Sequence, residues 1–255
     1  MAHSRTCPDV IIPCANSGIG FDTAYALAAN SPKNHVLVAA RTESKGEKAV
    51  KDIQARNPSG TVSFIQLDVT SDESIAAAAK KIETEYGRLD ILINNAGIGV
   101  KDKPTRIASR EVFETNVIGP QVLTEVVAPL LEKSDEPRIV NVSSGLGSIK
   151  LRLDPSSGYH HIPADDYRMS KAALNMLTVC WKYHFRDWKN TPKIFTFCPG
   201  YVVTNIEGEE NKEIRKAQGA ESSETSAQGI LEIVNGDRDA EADLFLARYG
   251  QTYPW

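Results

Sequence analysis

Short apolar, β-branched runs alternate with helical stretches along this chain, and no other feature constrains its fold as tightly. Asp9–Ile12, His35–Ala40, Val62–Val69, Leu89–Ile93, Arg138–Ser144 and Lys193–Cys198 read as strands. The short runs are largely apolar rather than cleanly alternating, the mark of strands covered on both faces. Helical stretches of roughly ten to twenty residues separate them, long enough for the crossovers that parallel strands require. The expected architecture is therefore α/β: a Rossmann-type doubly wound parallel sheet of about seven strands with helices on both faces. With 41% hydrophobic residues among 255, one large core is affordable, and a single domain over residues 1–255 is expected.

The first strand runs through Pro13-Cys14-Ala15-Asn16-Ser17-Gly18-Ile19-Gly20 into a helical stretch from Phe21 to Ala29. A strand, a glycine-bearing turn and a helix N-terminus form a ready pyrophosphate site, because free amide N–H groups and the positive dipole end face the anion. Farther along, Tyr167 and Lys171 stand at i and i+4 on an apolar helix, so the phenol and the ammonium share one face. A neighbouring cation lowers the phenol pKa toward the range useful for proton transfer. Ser143-Ser144-Gly145 lies upstream at a strand end.

Taken in order, Gly18-Ile19-Gly20, Asp68-Val69, Asn94-Asn95-Ala96-Gly97, Asn116 in Asn-Val-Ile-Gly, Ser144, Tyr167/Lys171 and Pro199-Gly200-Tyr-Val202-Val-Thr204 span the chain. In these motifs it resembles the short-chain dehydrogenase/reductase family. Its length and aromatic Tyr253-Pro-Trp255 are similar to the carbonyl-reductase-like members, many fungal ones among them. The resemblance implies an oxidoreductase in which Tyr167 exchanges a proton with the substrate oxygen and Lys171 tunes that phenol and holds the nicotinamide ribose. Ser144 would bond the substrate oxygen, and Asn116 would anchor a water of the proton relay. It also implies a nicotinamide cofactor held by Asn16, Ser17, Gly18, Ile19 and Gly20, by Asp68 and Val69 at the adenine, and by Asn95, Ala96, Gly97, Tyr167, Lys171, Pro199, Gly200, Val202 and Thr204.

Charge selects the form of the cofactor. Family members that prefer NAD usually place a carboxylate where this chain has Ala40, followed by Arg41. A guanidinium there can hold a 2′-phosphate through two charge-assisted bonds, so NADP(H) is expected. One departure stands out: Pro13-Cys14 occupies the place of the family's Thr-Gly. A left-handed turn there is strained for any residue with a Cβ, and Cys14→Gly is expected to tighten NADPH binding by about 1 kcal/mol. The departure also keeps open a second function, a non-redox descendant that binds a ligand or steers a cyclisation or isomerisation.

A net charge of −4 without a basic run argues against nucleic acid as the main partner. No signal peptide and no apolar run of about 18 residues is apparent, so neither secretion nor a membrane span is expected. Cys7, Cys14, Cys180 and Cys198 lack metal or disulfide spacing and read as reduced thiols of a cytoplasmic protein. His160-His161 has no third ligand, so no metal site is expected. Trp181 and Trp188 read as packing residues, and Asp165-Asp166 as helix N-terminal charge. Thr70-Ser-Asp-Glu73 fits a capping box. Residues 145–166, rich in Gly, Ser and Pro, read as a loop over a small-molecule pocket. Residues 204–226, charged at Glu207, Glu209, Glu210, Lys212 and Glu213, read as a mobile lid. In the family, long insertions before the tyrosine accompany monomers, so a monomer or homodimer is expected.

Overall fold

The computed structural model describes residues 9–12, 14–101, 103–206 and 212–255. Cys7, Pro13, Glu207, Glu209 and Glu210 therefore lie outside the described residues. Strands β1 (Asp9–Ile12), β2 (His35–Ala40), β3 (Thr61–Gln66), β4 (Ile91–Asn94), β5 (Arg138–Val142), β6 (Lys193–Cys198), β7 (Phe245–Ala247) and β8 (Thr252–Tyr253) form one sheet. Its order is β3-β2-β1-β4-β5-β6-β7-β8, parallel throughout except for β8, which runs antiparallel to β7. Val10 faces both Val36 of β2 and Ile91 of β4, so strand order reverses across β1. At such a switch point the connections diverge and leave a crevice at the carboxyl ends of β1 and β4.

Alternation along each strand sends side chains to two separate cores. Ile11, Leu37 and Leu92 pack with Ile75 and Ile82 of α3 (Asp72–Glu85), Leu123 and Val127 of α5 (Gly119–Leu131) and Trp181 of α7 (Asp165–His184). On the other face Val10, Ile12, Val36 and Val38 meet α1 (Gly18–Asn30), α2 (Glu43–Gln54) and α9 (Ser223–Asn235) through Leu27, Ile53 and Ile230. Phe195 and Phe197 of β6 are fully buried, each contributing about 1.5–3 kcal/mol by leaving water. Trp181 and Trp188 both pack on this core as expected, but Trp188 does so from the turn after α7 rather than from the helix, its ring 4.5 Å from that of Phe185.

Four details differ from the sequence reading. Helix α3 is capped by Ser71, which accepts from Ser74 N at 3.2 Å, one residue later than the expected box. Thr70 is engaged elsewhere, its hydroxyl donating to Asp68 Oδ1 at 2.7 Å. The stretch after Ser144 is not irregular: a 3-10 turn, Gly145–Gly147, leads into α6 (Ile149–Leu153), capped by Ser148. Within 204–226 a helical turn, α8 (Lys212–Ala217), precedes the start of α9. Helix α1 begins at Gly18, so the glycines form its first turn rather than a loop before it.

Candidate active site

The crevice beside β1 is lined by the glycine-bearing turn. Cys14 (φ 56°) and Gly18 (φ 55°) both take left-handed backbone, the conformation suspected from the sequence at the residue where the family has glycine. The turn is fixed by Ala15 N donating to Ala39 O at 3.0 Å and Asn95 Nδ2 donating to Cys14 O at 3.4 Å. A Cβ on Gly20 would lie 2.6 Å from Asn95 Nδ2 and 2.7 Å from Cys14 O, so only glycine lets the helix approach this closely. Ser17 is the N-cap of α1, yet its side chain makes no capping bond, which leaves the first-turn N–H groups for an anion. Asn16, Ser17, Gly18 and Ile19 are partly exposed around this mouth.

Other expected cofactor residues converge on the same crevice. Thr204 lies against Gly18, whose Cβ would stand 3.4 Å from the threonine methyl, and Asn205 Nδ2 donates to Ser17 Oγ at 3.4 Å. Arg41 and Asp68 both lie within electrostatic reach of Cys14, and Arg41 is exposed at the end of β2. Asp68 Oδ1 accepts from Thr70, which fixes the carboxylate beside the mouth. Val69, by contrast, turns its side chain into the core against Gly119, leaving the half-buried Asp68 as the more open of that pair. Ala96 is buried, while Asn95 and Gly97 are partly open. Pro199 and Val202 are buried: Pro199 O accepts from Ser226 Oγ at 2.7 Å, and Val202 O accepts from Arg215. Gly200 (φ 75°) makes the turn between them.

Beyond Gly97 the crevice reaches the expected catalytic residues. Tyr167 sits in the first turns of α7, with Lys171 Nζ 5.6 Å from its ring centroid. Lys171 is only 3% exposed and donates to Val142 O at 2.8 Å. Burial lowers its ammonium pKa to about 8, so its charge is lightly held in the neutral pH range. Ser144 follows β5 directly and caps the 3-10 turn, its Oγ accepting from Leu146 N at 3.2 Å. Since that bond uses a lone pair, the hydroxyl hydrogen remains a donor.

Asn116 lies in a π-helical turn, Glu114–Ile118, between α4 (Thr105–Phe113) and α5. It is fully buried: Oδ1 accepts from Ile98 N at 2.8 Å, and Nδ2 donates to Ile98 O at 3.0 Å and Ser170 Oγ at 3.0 Å. Its side-chain amide thus braces the segment after β4 against α7. Gly97 fits between the two: a Cβ there would stand 3.4 Å from Lys171 Nζ and 3.6 Å from Asn116 Oδ1.

Several supporting residues were not anticipated. Asn94 Nδ2 donates to Asn141 Oδ1 at 2.8 Å, and Asn141 Nδ2 donates to Thr178 Oγ1 at 2.8 Å, linking β4, β5 and α7. Ser143 Oγ bonds Asn175 of α7. A polar residue inside an otherwise apolar strand, as in Ile-Val-Asn141-Val, was the available signal. His160 Nδ1 pairs with Arg152 O at 2.7 Å, and among the described residues no cluster of His, Cys, Asp or Glu could hold a metal. Nor is any described helix long and apolar enough to cross a membrane.

The order-reversed sheet, the glycine turn and the Tyr167/Lys171 pair define a nucleotide-dependent oxidoreductase site of the short-chain dehydrogenase type. The profile of that family, short chain dehydrogenase, matches residues 9–215, and the chain belongs to it. It is 40% identical over 235 residues to the short-chain dehydrogenase anuI of Penicillium roqueforti, covering 89% of this chain and 88% of that one. It is 34% identical to the short-chain dehydrogenase/reductase eupG of a Phoma species, covering 96% of each. Among solved structures, the NADPH-bound carbonyl reductase from chicken fatty liver superposes with a TM-score of 0.80 at 26% identity, covering 98% of this chain and 99% of that one. As a member of this family the protein is an enzyme, an oxidoreductase that uses a nicotinamide dinucleotide.

Proposed function

We propose that the protein is an NADP(H)-dependent carbonyl reductase or alcohol dehydrogenase acting on a small or medium-sized organic substrate. The observation that carries this reading is the buried Lys171 ammonium set against the Tyr167 ring. When bound, the nicotinamide supplies or accepts the hydride; the proton chemistry belongs to the chain. Tyr167 donates its phenolic proton to the carbonyl oxygen, or removes one in the reverse direction. Lys171 makes that phenol a stronger acid and reaches the nicotinamide ribose. Ser144 bonds the substrate oxygen and stabilises the charge that develops there. Asn116 holds the Gly97–Ile98 segment in place beside Lys171.

The glycine cradle fits a pyrophosphate: its first-turn N–H groups are free of side-chain capping, and Gly20 lets the helix start close on Asn95 and the Cys14 carbonyl as no residue with a Cβ could. Asn16 to Gly20 would hold that group, Asp68 the adenine, and Asn95 to Gly97 with Thr204 the remaining length. Arg41, exposed at the end of β2 with Ala40 before it, favours the 2′-phosphate of NADP(H). That the chicken carbonyl reductase was solved with NADPH agrees with this choice. Segments 145–166 and 204–226 would flank the substrate, and a monomer or homodimer is the expected assembly, which light scattering reads directly.

The test is direct. The protein should quench or shift NADPH fluorescence at lower concentration than it does NADH, and should oxidise NADPH in the presence of a ketone, quinone or aldehyde from a carbonyl panel. Binding without turnover on the whole panel, in both directions, would favour the non-redox alternative.

A further inference from the structure

The loop that carries Ser144 is held on its far side by a second tyrosine. The Tyr159 ring lies against Gly145, where a Cβ would fall 2.6 Å from its Cζ, so the two approach as closely as glycine permits. Tyr159 OH pairs with Tyr253 OH at 3.2 Å, and the rings meet edge to face with centroids 5.7 Å apart. Gly145 N donates to the buried Cys198 Sγ at 3.0 Å, so the residue after Ser144 is clamped between β6 and the Tyr159 ring. The Tyr253–Trp255 segment is itself fixed to the same loop: Ser148 Oγ donates to Pro254 O at 2.6 Å, and Lys150 N donates to Trp255 O at 3.2 Å. Trp255 stacks on Phe245 of β7 with centroids 5.5 Å apart. On the opposite side Gly147 rests on the backbone of Lys171. The Ser144–Gly147 turn is thereby gripped from two sides, by the catalytic helix and by Tyr159 with Tyr253.

We infer that Tyr159, held by Tyr253, is a positioning residue that fixes Ser144 against the substrate oxygen. This rests on the carbonyl-reductase reading for the role of Ser144, but the clamp itself does not. Burial pushes the Tyr159 phenol well above its ordinary pKa, so it stays neutral and works by contact and hydrogen bond, unlike Tyr167. The sequence offered both halves, an aromatic tail and a loop before Tyr167, without showing that they meet.

The experiment compares Tyr159→Phe and Tyr253→Phe, each of which keeps the ring and deletes one hydroxyl, in the wild-type and Ser144→Ala backgrounds. In the wild-type background Tyr253→Phe should lower kcat/KM for phenanthrenequinone about fivefold, the scale of one hydrogen bond, and Tyr159→Phe at least as much because its hydroxyl also pairs with Cys198, with the double variant no worse than Tyr159→Phe alone. In the Ser144→Ala background neither should lower it further, and NADPH affinity should stay within about twofold throughout. A merely structural role would cut activity equally in both backgrounds or weaken NADPH binding, and either result overturns the inference. Amide exchange gives a second readout: Gly145 and Leu146 should exchange faster in both Phe variants while α1 does not change. Unaltered exchange there overturns the clamp. If the wild type reduces no carbonyl probe, the reductase reading fails on that result alone, and the exchange arm still decides whether the clamp exists.

Discussion

Replacing Cys14 by glycine separates two effects that the sequence alone confounds. At φ 56° Cys14 holds a left-handed backbone that costs a residue with a Cβ roughly 1–2 kcal/mol. Glycine removes that strain but adds freedom to the unfolded chain, which takes back about 0.4–1 kcal/mol. The backbone bonds that fix the turn, Ala15 N to Ala39 O and Asn95 Nδ2 to Cys14 O, involve no cysteine side-chain atom and survive the change. The net expectation is a gain of about 1 kcal/mol in stability, or a rise in Tm of roughly 2–4 °C for a chain of this length. Because the strain is present without any ligand, it is borne in folding and is common to the free and bound protein. NADPH affinity should therefore change by less than about twofold, not by the fivefold that 1 kcal/mol would give. This revises the expectation of tighter binding drawn from the sequence. Thermal unfolding with and without NADPH, alongside a fluorescence titration, checks both numbers. An unchanged Tm with fivefold tighter binding would refute the reasoning, since the strain would then arise only when the cofactor enters.

Gly20→Ala should do the opposite, driving a Cβ into Asn95 and the Cys14 carbonyl; NADPH binding should be lost and Tm should fall, read by the same titration and melt. Tyr167→Phe should lower kcat by about 10²–10⁴-fold while NADPH affinity stays within twofold, as measured by steady-state kinetics and fluorescence. Lys171 keeps its proton only below about pH 8, so kcat/KM for carbonyl reduction should fall as pH rises through 8, where the phenol loses its cationic neighbour; a profile flat from pH 7 to 9 would contradict this. The same depressed pKa means the buried ammonium opposes folding below pH 8, and that penalty should fade between pH 8 and the ordinary 10.5, an effect that Lys171→Met should remove from a series of denaturant melts. Arg41→Ala should weaken NADPH binding and leave NADH unaffected, narrowing the gap between them in parallel titrations.

The strands β1 to β6 were legible because each is a short, largely apolar run set between helical stretches, and the motifs at their ends placed the crevice. Strands β7 and β8, of three and two residues, carry no period at all; they exist because Phe245 fills the sheet edge and Tyr253 pairs back on it. Helix α6 escaped notice for a similar reason: a five-residue helix depends on its cap, Ser148, more than on any pattern. At the site, Lys171 Nζ lies 5.6 Å from the Tyr167 ring centroid, as expected of an i, i+4 pair on one helix face. The bracing bonds of Asn116 were out of reach of the sequence, because its partners Ile98 and Ser170 lie 18 and 54 residues away. Val69 likewise turns inward because Gly119 leaves room for it.

The amide chain from Asn94 through Asn141 to Thr178 acts as an alignment pin between halves of the enzyme. Asn94 and Asn141 are register partners in neighbouring strands, and sliding β4 past β5 by one residue would turn every side chain to the opposite face and strand both amides in hydrocarbon. Asn95, the neighbour of one end, supports the nucleotide turn, while Thr178 at the other end rides on the helix that bears Lys171. The spacing between the glycine turn and the Tyr167/Lys171 pair is thereby written into a buried lattice that tolerates no intermediate setting. Changes in the outer segments 145–166 and 204–226 can then accumulate without altering the spacing between the glycine turn and the helix that bears Tyr167 and Lys171.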